Sequence, residues 1–509
     1  MPKRSTGCFE CRKRKVRCDE TKPECNICLR RGTKCPGYRP TQSFILHRFD
    51  EQTDKPELIK EDESRYKYAN HSPATQTTSP GSSQAVSRRP SAEEKPVDTT
   101  LPKRVSSIAA DRIQHVGTFI ALYLPTADGP ALPPPSALML ALPTLPANSE
   151  VLLAAVDALS AAQLAVKNRN YPLINRSRSL YGTALSQMLK AIQDPATAVK
   201  DETLLSTYLL TLYEVFVGVT QGHGFFYHVQ GLLHLLKQRG PSSFQSRLSL
   251  QIYHAIRYNS LSIGYHMRKA SMLDSPEWLA VTVKAARFDP YVALLDVCIG
   301  IPRLLERTDD LAKAGNPPDQ ITSLIADSEA LVAHAFTWLS NFEKNGPRYD
   351  MVPLSTFPTF FDICADRVFD PVFDFHYFGA GICYLIYWMS MLILQSNTFK
   401  LLRQHRHLEL KQLMMWDRQL GGYADSICRS VPYNCRAVTG YAAKFGSLTP
   451  LVVARKYFEM KGAAKEKEAK WCEEVYVAAR VPGLYSTPVP LEPLKGVKET
   501  VDGGTKKYI

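Results

Sequence analysis

Six cysteines stand at Cys8, Cys11, Cys18, Cys25, Cys28 and Cys35, a Cys-x2-Cys-x6-Cys unit that repeats after six residues. Thiolates this closely spaced are ligands for a tetrahedral soft metal, zinc above all. Six sulfurs can close one zinc site with two cysteines left over, or serve two zincs if two sulfurs bridge, since two tetrahedra need eight bonds. The repeat suits bridging by equivalent cysteines. Two-fold symmetry then pairs Cys8 with Cys25, leaving Cys11 and Cys18 to complete one zinc and Cys28 and Cys35 the other. No apolar stretch of the signal-peptide kind separates Met1 from Cys8, so a reducing compartment is expected and a disulfide knot is the weaker reading.

Between Cys11 and Cys18 run Arg12, Lys13, Arg14, Lys15, Val16 and Arg17, five bases in six positions. Pinned by metal at both ends, this run is expected to form a short basic helix whose side chains reach phosphates and the acceptor edge of guanine. Arg30, Arg31 and Lys34 hold the equivalent place in the second half, where fewer bases fit a phosphate anchor. Charge supports a polyanionic partner. The 509-residue chain carries a net +13, and residues 1–40 hold twelve bases against four acids, so +8 of that excess lies in one short segment. Forty residues have too little core to fold alone, so metal must supply most of their folding free energy.

The segment from Gly7 to Asp19, followed by Lys22, Pro23, Glu24, Cys25, Asn26, Ile27 and Cys28, resembles the fungal Zn(2)-Cys(6) binuclear-cluster transcription factors. The resemblance implies two zinc ions per chain, double-stranded DNA as partner, a nuclear location and control of RNA polymerase II transcription. It also implies that Arg14 and Lys15 contact the bases of a CGG-type triplet, with Arg12, Lys13, Arg17, Arg30, Arg31 and Lys34 left for phosphates. Family members commonly dimerise through a coiled coil after the head. Here Thr41 to Glu63 shows no heptad repeat, which leaves dimerisation to the helical body or monomeric binding open. Ala158 to Gln163, Leu209 to Glu214, His228 to Leu233 and Trp471-Cys472 look like the fungal-specific transcription factor domain of the second type, a helical regulatory module open to transcriptional co-regulators.

The elements that must carry this head are read from composition and period. Residues 1–40 form the binuclear zinc cluster, and 41–107 a mixed-charge linker. Within it, Ser64 to Ser107 holds 19 Ser, Thr or Pro among 44 residues, too polar to offset its ordering entropy, so disorder is expected. Residues 108–482 are expected as a large all-α regulatory domain, and 483–509 as an irregular tail. Ser149 reads as the cap of a helix with Val151, Leu152, Ala155, Val156 and Leu159 on one face. Residues 291–313 and 376–403 read as helices, Thr449-Pro450 as a helix start and Gly462 as a stop.

Several other groups carry a chemical reading and a plainer one. His223, His228 and His234 near Glu214 are expected to cap or pack, because 228 and 234 face different ways on one helix. Cys428 and Cys435 are expected as inert buried thiols. The phenylalanine-rich stretch from Phe357 to Phe378 is expected to pack in the core. Ser72, Ser79 and Ser91 are accessible phosphorylation candidates. The uncharged run from Tyr377 to Leu394 falls just short of a membrane span and is expected as a buried central helix. A head serving RNA or general DNA affinity is the nearest rival within binding proteins. An enzymatic body lacks a Gly-rich phosphate loop, a nucleophile elbow or paired carboxylates, so catalysis is not expected.

Overall fold

A computed structural model of the chain describes residues 7–21, 25–33, 35–36, 47–49, 56–58, 107–126, 132–145, 149–167, 170–217, 223–479 and 491. They fall into two compact units, Met1–Thr99 and Thr100–Ile509. The expected linker disorder over 64–107 lies outside the described residues save Ser107, as do the tail beyond 482 save Leu491 and the linker serines.

In the first unit, helices α1 (Phe9–Lys13) and α2 (Asn26–Leu29) are followed by strands β1 (His47–Phe49) and β2 (Pro56–Leu58). The strands pair antiparallel, with Arg48 opposite Glu57. This ribbon falls inside the mixed-charge stretch read only as linker. Strands of three residues are too short for period-counting to reveal.

The second unit is helical. In chain order its helices are α3 (Ser107–Tyr123), α4 (Pro134–Ala141), α5 (Glu150–Lys167), α6 (Tyr171–Gln193), α7 (Pro195–Ala198), α8 (Asp201–Val217), α9 (His223–Arg239) and α10 (Arg247–Met267). There follow α11 (Pro276–Ala280), α12 (Val283–Ala286), α13 (Pro290–Cys298), α14 (Ile301–Lys313), α15 (Pro318–Phe342), α16 (Phe378–His405), α17 (Leu410–Asn434), α18 (Gly440–Met460) and α19 (Glu466–Ala479). Ser149 caps α5 as its sequence implies, its Oγ accepting from Leu152 N at 3.4 Å. Ala155, Ala158, Ala161, Ala162 and Ala165 are all fully buried on α5. These small side chains let α6 and α8 pack closely against it. Helix α8 is buried on every side from Thr203 to Phe216, and the hydroxyls of Thr207 and Thr211 stay satisfied by donating to carbonyls four residues back.

Helix α16 is the centre of the body, packed by α13, α14, α15, α17, α18 and strand β4 (Val372–Phe375). It is long and apolar enough to cross a membrane by composition. Burial from Phe378 through Leu394 accounts for that composition, because a helix surrounded by others needs no polar face.

Three features depart from the sequence reading. Strand β3 (Tyr349–Val352) pairs antiparallel with β4, Tyr349 opposite Phe375, giving the helical body one ribbon. Phe373 and Phe375 lie buried there with Tyr349, Tyr384 and Trp388 in an aromatic cluster, the core packing expected of the phenylalanine-rich stretch. The single helix expected over 291–313 is two, broken at Ile299 and Gly300 before Pro302. Thr449-Pro450 does not start a helix but lies buried inside α18, where tertiary packing outweighs the cost of a mid-helix proline. Gly462 does follow the end of α18, at φ +59°.

Candidate metal centre and nucleic-acid interface

Each half of the head builds the same local structure. In α1, Cys8 is the N-cap and its Sγ accepts from Cys11 N at 3.4 Å. Cys25 does the same for α2, accepting from Cys28 N at 3.3 Å. A Cys-x2-Cys pair thus becomes two sulfurs on one side of a helical turn. Cys8 N donates to Cys18 Sγ at 3.4 Å, drawing the last cysteine of the half back to the first.

The sulfurs converge. Cys8 and Cys25 lie 3.6 Å apart, Cys8 and Cys28 3.8 Å, and Cys11 and Cys25 3.7 Å. These distances exceed a disulfide bond. They match the edge of a sulfur tetrahedron around zinc, about 3.8 Å for Zn–S bonds of about 2.3 Å. The six fall into two groups of four, Cys8, Cys11, Cys18, Cys25 and Cys8, Cys25, Cys28, Cys35, each within 4.8 Å. Cys8 and Cys25 are common to both. Burial and the neighbouring thiols raise Cys11 and Cys28, the latter to about 12, so metal entry must displace protons. The donor set and its spacing fit two zinc ions.

Both helices end in a Schellman motif. In the first, Lys15 N donates to Arg12 O at 3.1 Å and Val16 N to Cys11 O at 3.0 Å. In the second, Gly32 N donates to Leu29 O at 3.0 Å and Thr33 N to Cys28 O at 3.1 Å. The left-handed position is Gly32 in one half, at φ +67°, and Lys15 in the other, at φ +55°.

The basic run is therefore not one helix. Only Arg12 and Lys13 lie in α1, Arg14 caps it, and Lys15 to Arg17 continue beyond a left-handed turn. Starting the helix at the Cys8 cap uses up its one turn before the bases begin. Lys13, Lys15 and Arg17 are exposed, Arg12 and Arg14 half-buried, and Arg30 and Arg31 exposed. Lys34 and Pro23 lie outside the described residues. Asp19 was not singled out by the sequence. Its Oδ2 accepts from Thr21 Oγ1 at 2.8 Å and Asn26 N at 3.1 Å, tying the end of one half to the start of α2.

The weaker candidates resolve into packing. Tyr181 Oη lies 2.6 Å from Glu214 Oε1 and 2.7 Å from His228 Nε2, and burial lowers His228 to about 4, leaving it neutral at physiological pH. His234 is exposed beside Gln238, and the side chain of His223 lies outside the described residues. Cys428 meets Cys472 at 3.4 Å rather than Cys435, with all three buried and burial raising Cys428 and Cys435. Among the described residues, the two sulfur groups of the head are the metal-ligand clusters.

Paired tetrathiolate sites on a short basic unit, together with a separate helical body, define a zinc-cluster protein with an α-helical partner domain. Residues 6–43 match the fungal Zn(2)-Cys(6) binuclear cluster domain, which binds two zinc ions, and residues 119–302 match the fungal specific transcription factor domain. On this pairing the chain is similar to the fungal Zn(2)-Cys(6) transcription factors over both domains. An uncharacterized protein of Emericella nidulans is 29% identical over 168 residues, 31% of this chain and 36% of its own. The transcriptional regulatory protein moc3 of Schizosaccharomyces pombe is 52% identical over 33 residues, 6% of each chain. The aspercryptin biosynthesis cluster-specific transcription regulator atnN of Emericella nidulans is 53% identical over 34 residues, 7% of this chain and 6% of its own. The chain spans about a third of the first of these relatives and under a tenth of the other two. No solved structure matches.

Proposed function

We propose that the protein is a nuclear, zinc-dependent, sequence-specific DNA-binding regulator of RNA polymerase II transcription that reads a CGG-type triplet in the major groove. The head is residues 1–40, the linker 41–107, the regulatory body 108–482 and the tail 483–509. Cys8 and Cys25 bridge the two zincs, Cys11 and Cys18 complete one, and Cys28 and Cys35 the other. Arg14 and Lys15 read bases, while Arg12, Lys13, Arg17, Arg30, Arg31 and Lys34 hold phosphates. The body acts in regulation rather than catalysis. It is the surface for a homodimer or for co-regulators.

The observation that carries this reading is Lys15. Its twin position is glycine, the residue that adopts a positive φ without strain, whereas a left-handed lysine costs on the order of 1 kcal/mol. A fold that can use glycine at this turn, and does so at Gly32, keeps an exposed lysine beside the metal. Groove contact supplies the reason. Such a lysine projects its ammonium from a rigid, zinc-fixed turn toward the two acceptors of guanine.

Selection from randomised duplex DNA by the intact chain is expected to enrich a CGG-containing site. Recovery of no motif, or of RNA in preference, would overturn the proposal. Lys15→Gly is expected to keep the fold and both zincs, since glycine suits the turn. It should lose on the order of 1–3 kcal/mol of discrimination at one base pair. Arg17→Ala should instead weaken all duplexes alike and reduce the salt slope by about one. A uniform loss for Lys15→Gly would make Lys15 a phosphate anchor.

A further inference from the structure

Seven of the body's helices leave a chamber between them. Tyr123 of α3, Tyr208 of α8, Tyr258 of α10 and Tyr291 of α13 all line it, with α16 and α18 closing the far side. Its volume is about 60 Å³, and a second chamber of about 10 Å³ adjoins it through the shared walls of Tyr258, Asn259 and Phe445. One water needs roughly 10–15 Å³, so the smaller space suits a single water and the larger several waters or a ring.

One polar group of this chamber lacks a partner. Tyr123, Tyr208 and Tyr291 are each no more than 4% exposed. The tyrosines bring four rings and their hydroxyl ends to the walls of one space. Asn259 is 4% exposed and its Nδ2 is buried without a partner among the described residues. An orphaned buried donor costs on the order of 1–3 kcal/mol, so the Asn259 amide beside this space is a waiting hydrogen-bond donor.

Apart from Ser136, the remaining walls are apolar. Phe445 and Ile382 face the chamber, and no residue around it carries a formal charge. A charged ligand would enter without a counter-ion, at a prohibitive desolvation cost. Gly446 preserves the space, because a Cβ there would come within 2.9 Å of Ile382 Cδ1.

We propose that this chamber binds a small, neutral, oxygen-bearing ring compound, its ring against Phe445 and Ile382 and its carbonyl or ether oxygen accepting from Asn259 Nδ2. This is a site in the body, separate from the DNA-reading head. A failed ligand test would leave the proposed function standing, and a failed DNA selection would leave the ligand site standing.

Acetophenone, ethylbenzene and benzoate are suitable probes, titrated into the intact zinc-loaded chain by ligand-observed NMR. Acetophenone offers the ring and one acceptor, ethylbenzene the same shape without it, and benzoate a charge. Acetophenone is expected to bind at least about fivefold more tightly than ethylbenzene, the share of one neutral hydrogen bond, and benzoate not at all. Asn259→Leu should bring acetophenone and ethylbenzene level. Gly446→Val should abolish binding of both while circular dichroism shows the helical body intact. The proposal is overturned if acetophenone fails to bind the native chain, which would leave the chamber to water. It is overturned equally if acetophenone binds no better than ethylbenzene or binds Gly446→Val undiminished. The comparison between the probes on native protein stands even where a variant fails to fold.

Discussion

Removing zinc from the intact chain with a chelator is expected to abolish selective duplex binding while leaving the far-UV helical signal almost unchanged. The head has no other means of staying folded. Its helices are five and four residues long, far below the 12–15 or so at which an isolated helix becomes even marginal in water. The cluster at its centre is Cys8, Cys11, Cys25, Cys28 and Cys35 themselves, with Cys18 and Ile27 packed against them. A core made of metal ligands disappears with the metal. Structural zinc contributes roughly 10–16 kcal/mol of apparent binding free energy in small zinc domains, more than any packing available to Ile27 could replace. Loss of the fixed turn should carry affinity from the range of specific complexes to that of nonspecific ones, about a thousandfold or more. The body keeps its own apolar core from Phe119 to Val475, so its helices remain. Single substitutions sharpen the test. Because Cys8 and Cys25 belong to both sulfur groups, Cys25→Ser should cost both zincs. Cys18→Ser, which touches one group, should cost one zinc first. Elemental analysis distinguishes these outcomes, and two zincs retained in Cys25→Ser would sink the bridging assignment.

The head was legible because its information is local. Ligand spacing of two and six residues fixes which sulfurs can share a metal, and the 17-residue offset between Cys8 and Cys25 repeats for every cysteine of the unit. The turn at Lys15 was not legible, since nothing in a lysine announces a left-handed backbone. Only alignment of one half on the other exposes it, where Gly32 falls at the same place. In the body, periodic apolar positions mark α5 and α8 well. They fail where distant partners decide the outcome. Cys428 has Cys435 as its nearest thiol in sequence, seven residues on at the C-cap of α17, yet its contact is Cys472 on α19. Pro450 carries a strong local signal for a helix start, which the packing of a buried α18 overrides. The ribbon of β3 and β4 joins segments some twenty residues apart, and each strand spans four residues, too short for alternation to stand out.

The same limit hides a buried polar junction of the body, which rests on residues far apart in the chain. Arg268 ends α10 with φ +51° and is 1% exposed. Its Nε donates to Asp309 Oδ2 at 2.8 Å and its Nη2 to Asp309 Oδ1 at 2.9 Å, a two-pronged pair on α14. Nη2 also donates to Asn397 Oδ1 at 2.8 Å, and Asn397 Nδ2 donates in turn to Thr308 Oγ1 at 2.8 Å. One guanidinium thereby fastens the end of α10 to α14 and to the central α16. Arg268→Met keeps the bulk and the left-handed backbone cost, so the difference reports the lost charge and hydrogen bonds. It leaves Asp309 without its cation and the buried Asn397 oxygen without its donor. Breaking a buried pair from one side typically costs 3–5 kcal/mol. Asp309 retains 22% of its side-chain exposure and Arg268 Nη1 is itself unpartnered among the described residues, which places the expected loss near the lower end, about 3 kcal/mol. Against a total stability of 5–15 kcal/mol, that is a large fraction. The exposed pair Lys313–Asp310, at 72% and 56% side-chain exposure, provides the contrast, and Lys313→Met should shift stability by less than about 0.5 kcal/mol. Urea unfolding followed by far-UV circular dichroism measures both. Arg268→Met combined with Asp309→Leu should recover part of the loss, because the stranded carboxylate goes with its partner. A loss below about 1 kcal/mol for Arg268→Met alone would show that water solvates Asp309 as well as the guanidinium does, and that α10, α14 and α16 are held by apolar packing without this junction.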